Sequence, residues 1–241
     1  KFMTKNLSES KVIFNDLLQK KTDYSVPATY YYSHIAYDEG KYQTALVGFR
    51  KIANNKMFKA IIPYYITQIL YQQYKYDELI EYGSLYIDSV TEKRKGEFAK
   101  LIGDSYFKKN KYESSLEYYK IFKRNAKSNR ESNYQVGYCY YQTKKYKKAI
   151  EIFSRIATVD DSLTQISYYH MADSYLILEQ KDYARNAFQK ASKLNFDLDI
   201  RRNSLFNYAK LAYELSYNPY DEAINAFQQF IENFPNSEDA K

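Results

Sequence analysis

A short pattern returns along this chain at nearly constant spacing, and no other feature restricts its fold so much. The segments KYQTALVGF, KYDELIEYG, KYESSLEYY, KYKKAIEIF, DYARNAFQKA and PYDEAINAF share an aromatic, then a small or apolar residue, then an aromatic at helical spacing. Their anchors, Ala45, Leu79, Ser115, Ala149, Ala184 and Ala223, are separated by 34, 36, 34, 35 and 39 residues. A period near 34 means one supersecondary unit copied in tandem, each copy burying its apolar face on the next.

Ahead of each segment lies a second helical stretch, and one frame aligns Ser33, Thr67, Gly103, Gly137, Ala172 and Ala209. All are small, as two helices require if their backbones are to approach closely. Apolar Tyr32, Ile66, Ile102, Val136, Met171 and Tyr208 precede them. In the later stretch a large residue recurs four places after the anchor, at Phe49, Tyr119, Phe153, Phe188 and Phe227, with Gly83 the exception. Only 6 Gly and 4 Pro punctuate the 241 residues, too few for an all-β chain with its frequent turns.

These residues resemble the tetratricopeptide repeat family, a 34-residue helix–turn–helix unit with a small residue inside its first helix and alanine followed by an aromatic in its second. The resemblance covers about residues 28–235. Tyr42, Tyr76, Tyr112, Tyr146 and Tyr220 match the family's tyrosine at the start of the second helix, and Pro235 its closing proline. Lys181 replaces that tyrosine in the fifth unit, and SYNPY lengthens the turn of the sixth. The resemblance implies an all-α fold: a right-handed superhelical solenoid of antiparallel helix pairs, about six repeats plus partial units at both ends. The whole of 1–241 is expected to be one solenoid domain with units at 27–60, 61–95, 96–129, 130–164, 165–201 and 202–236. Residues 1–26 read as a partial unit, with a second helix over 5–20, and 237–241 as the start of another, so the chain is expected to be a fragment of a longer protein.

Several chemistries find no residues here. A structural zinc site wants four Cys or His ligands, and the chain holds only Cys139, His34 and His170. It contains no glycine-rich phosphate loop, no H-E-x-x-H and no G-x-S-x-G. The longest apolar stretch, Ala60 to Leu70, is too short to span a bilayer. No catalytic residue, metal or cofactor is assigned. His34 and His170 read as polar first-helix residues facing a groove or packed between repeats, and Cys139 as a buried, inert thiol.

In proteins of the resembled family the first helices line a concave groove. Three places before the small residue stand Tyr30, Tyr64, Lys100, Tyr134, Tyr169 and Phe206; one place after it stand His34, Gln68, Asp104, Tyr138, Asp173 and Lys210. Four places after it stand Tyr37, Tyr71, Phe107, Tyr141, Leu176 and Tyr213. One helical face carries all three offsets, so an aromatic ladder with amide and charged groups is expected, suited to a protein or peptide partner. Aromatics at the outer offsets also serve to stack adjacent repeats, so the middle offset is the better guide to specificity. Lys100 followed by Asp104 lacks the asparagine that some relatives use to grip a C-terminal carboxylate.

Charge is uneven. Residues 1–90, 91–148, 149–213 and 214–241 carry net charges of +2, +10, 0 and −5. Lys108, Lys109, Lys111, Lys144, Lys145, Lys147 and Lys148, with Arg94 and Arg130 among others, form a basic belt open to an acidic protein, a lipid head group, a cell-wall polymer or nucleic acid. Nucleic acid is disfavoured, because the groove positions are mainly Tyr, Gln and acidic residues. The competing readings are a non-catalytic scaffold that binds a partner segment in the groove, and an assembly module of the bacterial cell envelope acting through its ends and the belt. The ending FIENFPNSEDAK resembles repeats of bacterial periplasmic proteins of the outer-membrane assembly and Tol-Pal-associated type, which tilts localisation towards the envelope.

Overall fold

The computed structural model describes residues 7–20, 22–215 and 220–240. Among these residues every regular element is helical: α1 (Leu7–Gln19), α2 (Ser25–Asp38), α3 (Tyr42–Lys51), α4 (Ile62–Gln72), α5 (Tyr76–Tyr86), α6 (Glu92–Lys108), α7 (Tyr112–Asn125), α8 (Arg130–Gln142), α9 (Tyr146–Ile156), α10 (Ser162–Ile177), α11 (Lys181–Lys193), α12 (Leu198–Leu215), α13 (Tyr220–Asn233) and a 3₁₀ turn at Glu238–Ala240. This is a helical repeat solenoid in which α2 to α13 alternate as first and second helices. It divides into two compact blocks, Lys1–Lys127 and Ser128–Lys241, each with three repeats. Within each block successive helices pack on one another, and α1 packs on α2 through Phe14, stacked on Tyr31 at 5.4 Å.

The aligned small residues and the anchors are all buried, as the period requires. How each crossing makes room differs. A Cβ on Gly103 would meet the Tyr119 ring at 2.9 Å, and one on Gly137 the Phe153 ring at 2.8 Å, so here the first helix yields to an aromatic of the second. In the first repeat the second helix yields: a Cβ on Gly48 would collide with Ser33 Oγ. The exception at Gly83 admits Ile102 of α6, whose Cγ1 lies 2.7 Å from where a Cβ would stand. In the sixth repeat the fully buried aromatic is Phe230 rather than the expected Phe227, which is half-buried; one further turn along α13 brings Phe230 against Phe206 at 5.3 Å.

The turn within each repeat is built alike five times. Gly40, Tyr74, Asn110, Lys144 and Glu179 have φ between 57° and 72°, the left-handed region. The next residue's N–H then reaches back five residues, as from Lys75 to Leu70 O (2.9 Å) and from Lys145 to Tyr140 O (2.8 Å), closing the first helix in a Schellman motif. Tyr42, Tyr76, Tyr112 and Tyr146 follow, and their rings pack 5.7–6.0 Å from Tyr37, Tyr71, Phe107 and Tyr141 across the turn. With Lys181 in the fifth repeat, a stacked Tyr175–Tyr183 pair at 5.3 Å takes over. The equivalent turn of the sixth repeat, in SYNPY, lies outside the described residues.

A second device recurs in the third, fourth and fifth repeats, at the turn that leads into the next. Seven places before the small position, Gly96 abuts the turn after α7, where a Cβ would stand 2.6 Å from Ala126 Cβ. In the following repeat Arg130 donates to Ile156 O (3.0 Å), to both oxygens of Asp161 (2.6 and 3.1 Å) and to Thr164 Oγ1 (3.0 Å). Asp161 caps α10 by accepting from Thr164 N (2.8 Å), and the guanidinium beside it draws its carboxyl down to about 2. In the fifth repeat Gln165, fully buried, holds the turn Leu194–Asp197. Its amide nitrogen donates to the carbonyls of Leu194 (2.8 Å) and Asp197 (3.1 Å), and its oxygen accepts from Phe196 N (3.1 Å) and Asp197 N (2.8 Å).

Candidate functional site: the first-helix face

In block 1 the aligned residues of α2 and α4, with Arg94 of α6, come together around Tyr65, which stands two places before the small position. His34 Nε2 lies 3.1 Å from the Tyr65 hydroxyl and its Nδ1 3.1 Å from Asp38. Tyr30 and Tyr37 approach the same ring at 6.3 and 5.6 Å. Tyr30 is engaged further: it stacks at 4.3 Å on Phe58, from the segment between α3 and α4, and burial pushes its phenol up. Tyr64 donates to Glu97 (2.8 Å), and burial, then Glu97, raises its phenol to about 12. Burial, then Asp104, raises Tyr71 to about 12. The Arg94 guanidinium lies 4.4 Å above the Tyr64 ring and 5.1 Å above Tyr65, a cation–π clamp from the first turn of α6. Lys100 and Asp104 pair at 2.5 Å, and Asp104, buried at 5% exposure, also accepts from Tyr119 (2.7 Å), so this pair braces α6 against α7.

Block 2 repeats the plan with two residue types exchanged. His170 of α10 occupies the position of Tyr65, and Tyr138 of α8 the position of His34; their rings stand 5.2 Å apart, against 5.1 Å for His34–Tyr65. Tyr134, Tyr141, Phe153 and Tyr169 complete the surround of His170 at 5.0–6.1 Å. Its Nδ1 is buried without a hydrogen-bond partner. Burial lowers the imidazole from 6.5 to about 4, against the opposing pull of Asp173. Tyr141 donates to Asp173 Oδ2 at 2.6 Å, and the phenols of both Tyr141 and Tyr169 are raised by burial and by that carboxylate. Lys210 is exposed, its ammonium 5.5 Å from the Phe206 ring.

Between pH 6.5 and about 4 the unfolded chain binds a proton at His170 that the folded chain refuses. Stability is therefore unaffected by this group above pH 6.5 and falls as the pH drops through that window, by up to about 1.4 kcal/mol per pH unit. Urea unfolding at pH 7 and pH 5 is expected to show the loss in the wild type and a shallower one in His170→Phe. Equal losses would mean His170 titrates normally.

The belt is less uniform than its charge count. Arg94 and Arg130 are turned to internal partners, as described, and Lys109 pairs with Asp77 at 2.6 Å. Lys108 and Lys111 are exposed in block 1, as are Lys144, Lys145, Lys147 and Lys148 in block 2, where Lys148 also lies 5.6 Å from the Tyr140 ring. A cleft of about 390 Å³ opens instead among the second helices α11 and α13, over α12; Gln189, Tyr208 and Glu222 hydrogen-bond in series along it. Among the described residues no His, Cys, Asp and Glu side chains cluster to hold a metal, and no helix is long and apolar enough to cross a membrane. Cys139 is a buried thiol.

Tyr65, Arg94, Glu97 and Phe58 were not among the residues expected at this face. Tyr65 and His170 share a place in the frame that other repeats fill with Leu101 or Gln135, so residue type gave no periodic signal.

The family described as "Anaphase-promoting complex, cyclosome, subunit 3" matches residues 108–191, and "Tetratricopeptide repeat" matches residues 203–237. Among curated proteins none matches. The C-terminal part of a TPR repeat-containing protein from Cytophaga hutchinsonii is 17% identical over 99% of this chain and 95% of its own, with a TM-score of 0.64. YrrB, described as a TPR protein with an unusual peptide-binding site, is 14% identical over 80% and 95%, with a TM-score of 0.61. The apo form of RapI is 15% identical over 100% and 78%, with a TM-score of 0.56.

Proposed function

We propose, given that this chain is a tetratricopeptide-repeat protein, that it acts by binding a segment of a protein partner along its first helices, without turnover of its own. The fold supports a protein-interaction scaffold. The observation that carries the groove reading is that both blocks present half-exposed tyrosines and polar groups from consecutive first helices on one face: Tyr37, Tyr64, Gln68 and Tyr71 in the first, Tyr138, Tyr141, Tyr169 and Asp173 in the second. Tyrosine offers large apolar area, a polar tip and few rotamers to freeze, which favours adaptable but specific contacts. YrrB, a relative in fold, is described as binding peptide at an unusual site.

Selection of peptides from a random display library against the whole chain tests this. Selected peptides are expected to bind Gln68→Ala and Tyr138→Ala more weakly, by roughly 1–2 kcal/mol at each position that serves as an anchor. Unchanged affinity in both variants would refute the groove reading. A second reading, an assembly module that engages an acidic partner through the belt, is favoured by the absence, among the described residues, of any ion pair to Lys144, Lys145, Lys147 or Lys148. Replacing these four by Ser is expected to slow association and flatten its salt dependence while leaving groove binding in high salt intact, since exposed charges are screened beyond ~8 Å at physiological ionic strength.

A further inference from the structure

Block 1 contains a worked example of how this face holds a cation. Tyr64 donates its hydroxyl proton to a carboxylate on the next repeat's first helix, Glu97, and the face of its ring carries the Arg94 guanidinium at 4.4 Å. Phenol, carboxylate and cation are all supplied by the chain. The sixth repeat supplies a cation too, with Lys210 against Phe206.

Block 2 builds a phenol–carboxylate pair elsewhere along its first helices, four places after one small position and one place after the next, and stops there. Tyr141 donates to Asp173 across one repeat at 2.6 Å, and Tyr169 stands close enough for the same carboxylate to raise its phenol. The place Lys100 takes beside Asp104, three before the small position, is taken beside Asp173 by Tyr169. Among the described residues no Lys or Arg forms an ion pair with Asp173, and none lies over the rings of Tyr141 or Tyr169. His170, the other basic group beside it, is kept neutral by burial. Asp104, at the same offset in the third repeat, shows the contrast: it is buried and paired with Lys100, whereas Asp173 is half-exposed.

We propose that Asp173, Tyr141 and Tyr169 form a seat for a cationic side chain, an arginine by the example of Arg94, carried by the partner segment. This rests on the groove reading above and gives it a chemistry. The carboxylate offers a charge-assisted hydrogen bond and the phenol faces a cation–π wall, and because Asp173 already accepts from Tyr141 the seat is formed before the guest arrives.

The test is a titration of the whole chain, labelled at tyrosine rings for NMR, with the blocked tripeptide Gly-Arg-Gly and with its neutral citrulline isostere. The arginine peptide is expected to shift the rings of Tyr141 and Tyr169 saturably, and citrulline to bind at least about tenfold more weakly. Asp173→Asn keeps an acceptor for Tyr141 and should retain the fold, checked by its amide spectrum, yet lose the preference for arginine; Glu151→Gln, on the second helix α9, should keep it. Equal response to the two peptides, or an Asp173→Asn variant that still prefers arginine, overturns the seat while leaving the groove as a peptide site. No saturable shift of any first-helix tyrosine by either peptide overturns both.

Discussion

Gly137→Leu is expected to destabilise the protein by roughly 1–3 kcal/mol or more, because α8 and α9 cross where only hydrogen fits. The first side-chain carbon alone would stand 2.8 Å from Phe153 Cε1, 3.0 Å from its Cδ1 and 3.2 Å from Ile152 Cγ2. Phe153 is fully buried and cannot swing into solvent. The new side chain must therefore push the helices apart or force Phe153 off its rotamer. Since stability in a repeat array is summed from units and neighbouring interfaces, hydrogen exchange should quicken first in α8 and α9. An unchanged unfolding midpoint would show that the helices do not cross at Gly137.

Gln165→Leu should have an effect of similar size by a different route. Leucine conserves most of the volume but offers no polar atom to the turn Leu194–Asp197, whose two N–H groups and two carbonyls bond the Gln165 amide. Each polar group left buried without a partner costs about 1–3 kcal/mol, moderated here because the turn can open to water. Amide exchange at Phe196 and Asp197 should rise by at least an order of magnitude, while α8 and α9 keep their protection. Gln165→Glu retains the acceptor for those two amides but turns its other oxygen on the carbonyls of Leu194 and Asp197, so it should spare the amides only at a pH low enough to protonate the buried carboxyl. If both variants unfold like the wild type, the turn holds its shape without the clamp.

The crossings were legible in the sequence because they depend on size, and size repeats. Ser33, Gly103 and Ala209 differ in chemistry yet share a constraint that a 34-residue frame reveals. The clamps were not, for the converse reason. The position seven before the small residue is Gly96 in one repeat, Arg130 in another and Gln165 in a third, each suited to its own turn, so no periodic signal exists. By charge Arg130 belongs to the basic belt, although it bonds one carbonyl, one capping carboxylate and the Thr164 hydroxyl. The face itself was legible as a set of offsets. Its internal pairings were not: that Lys100 satisfies Asp104 and that Arg94 covers Tyr64 depends on which neighbour each long side chain reaches.

The room at each crossing is given by the first helix in the third and fourth repeats and by the second helix in the first. The two helices of a repeat are therefore matched halves and not interchangeable parts. A chimera joining α2 to α9 at the intra-repeat turn would set Ser33 against Phe153 with no glycine on either side. One joining α8 to α3 would leave both helices with a glycine and a void between them. Viable recombination, whether in the history of the array or in its redesign, should break the chain in the loops between pairs, where a whole crossing travels together, and avoid the tight left-handed turns that look like the natural joints.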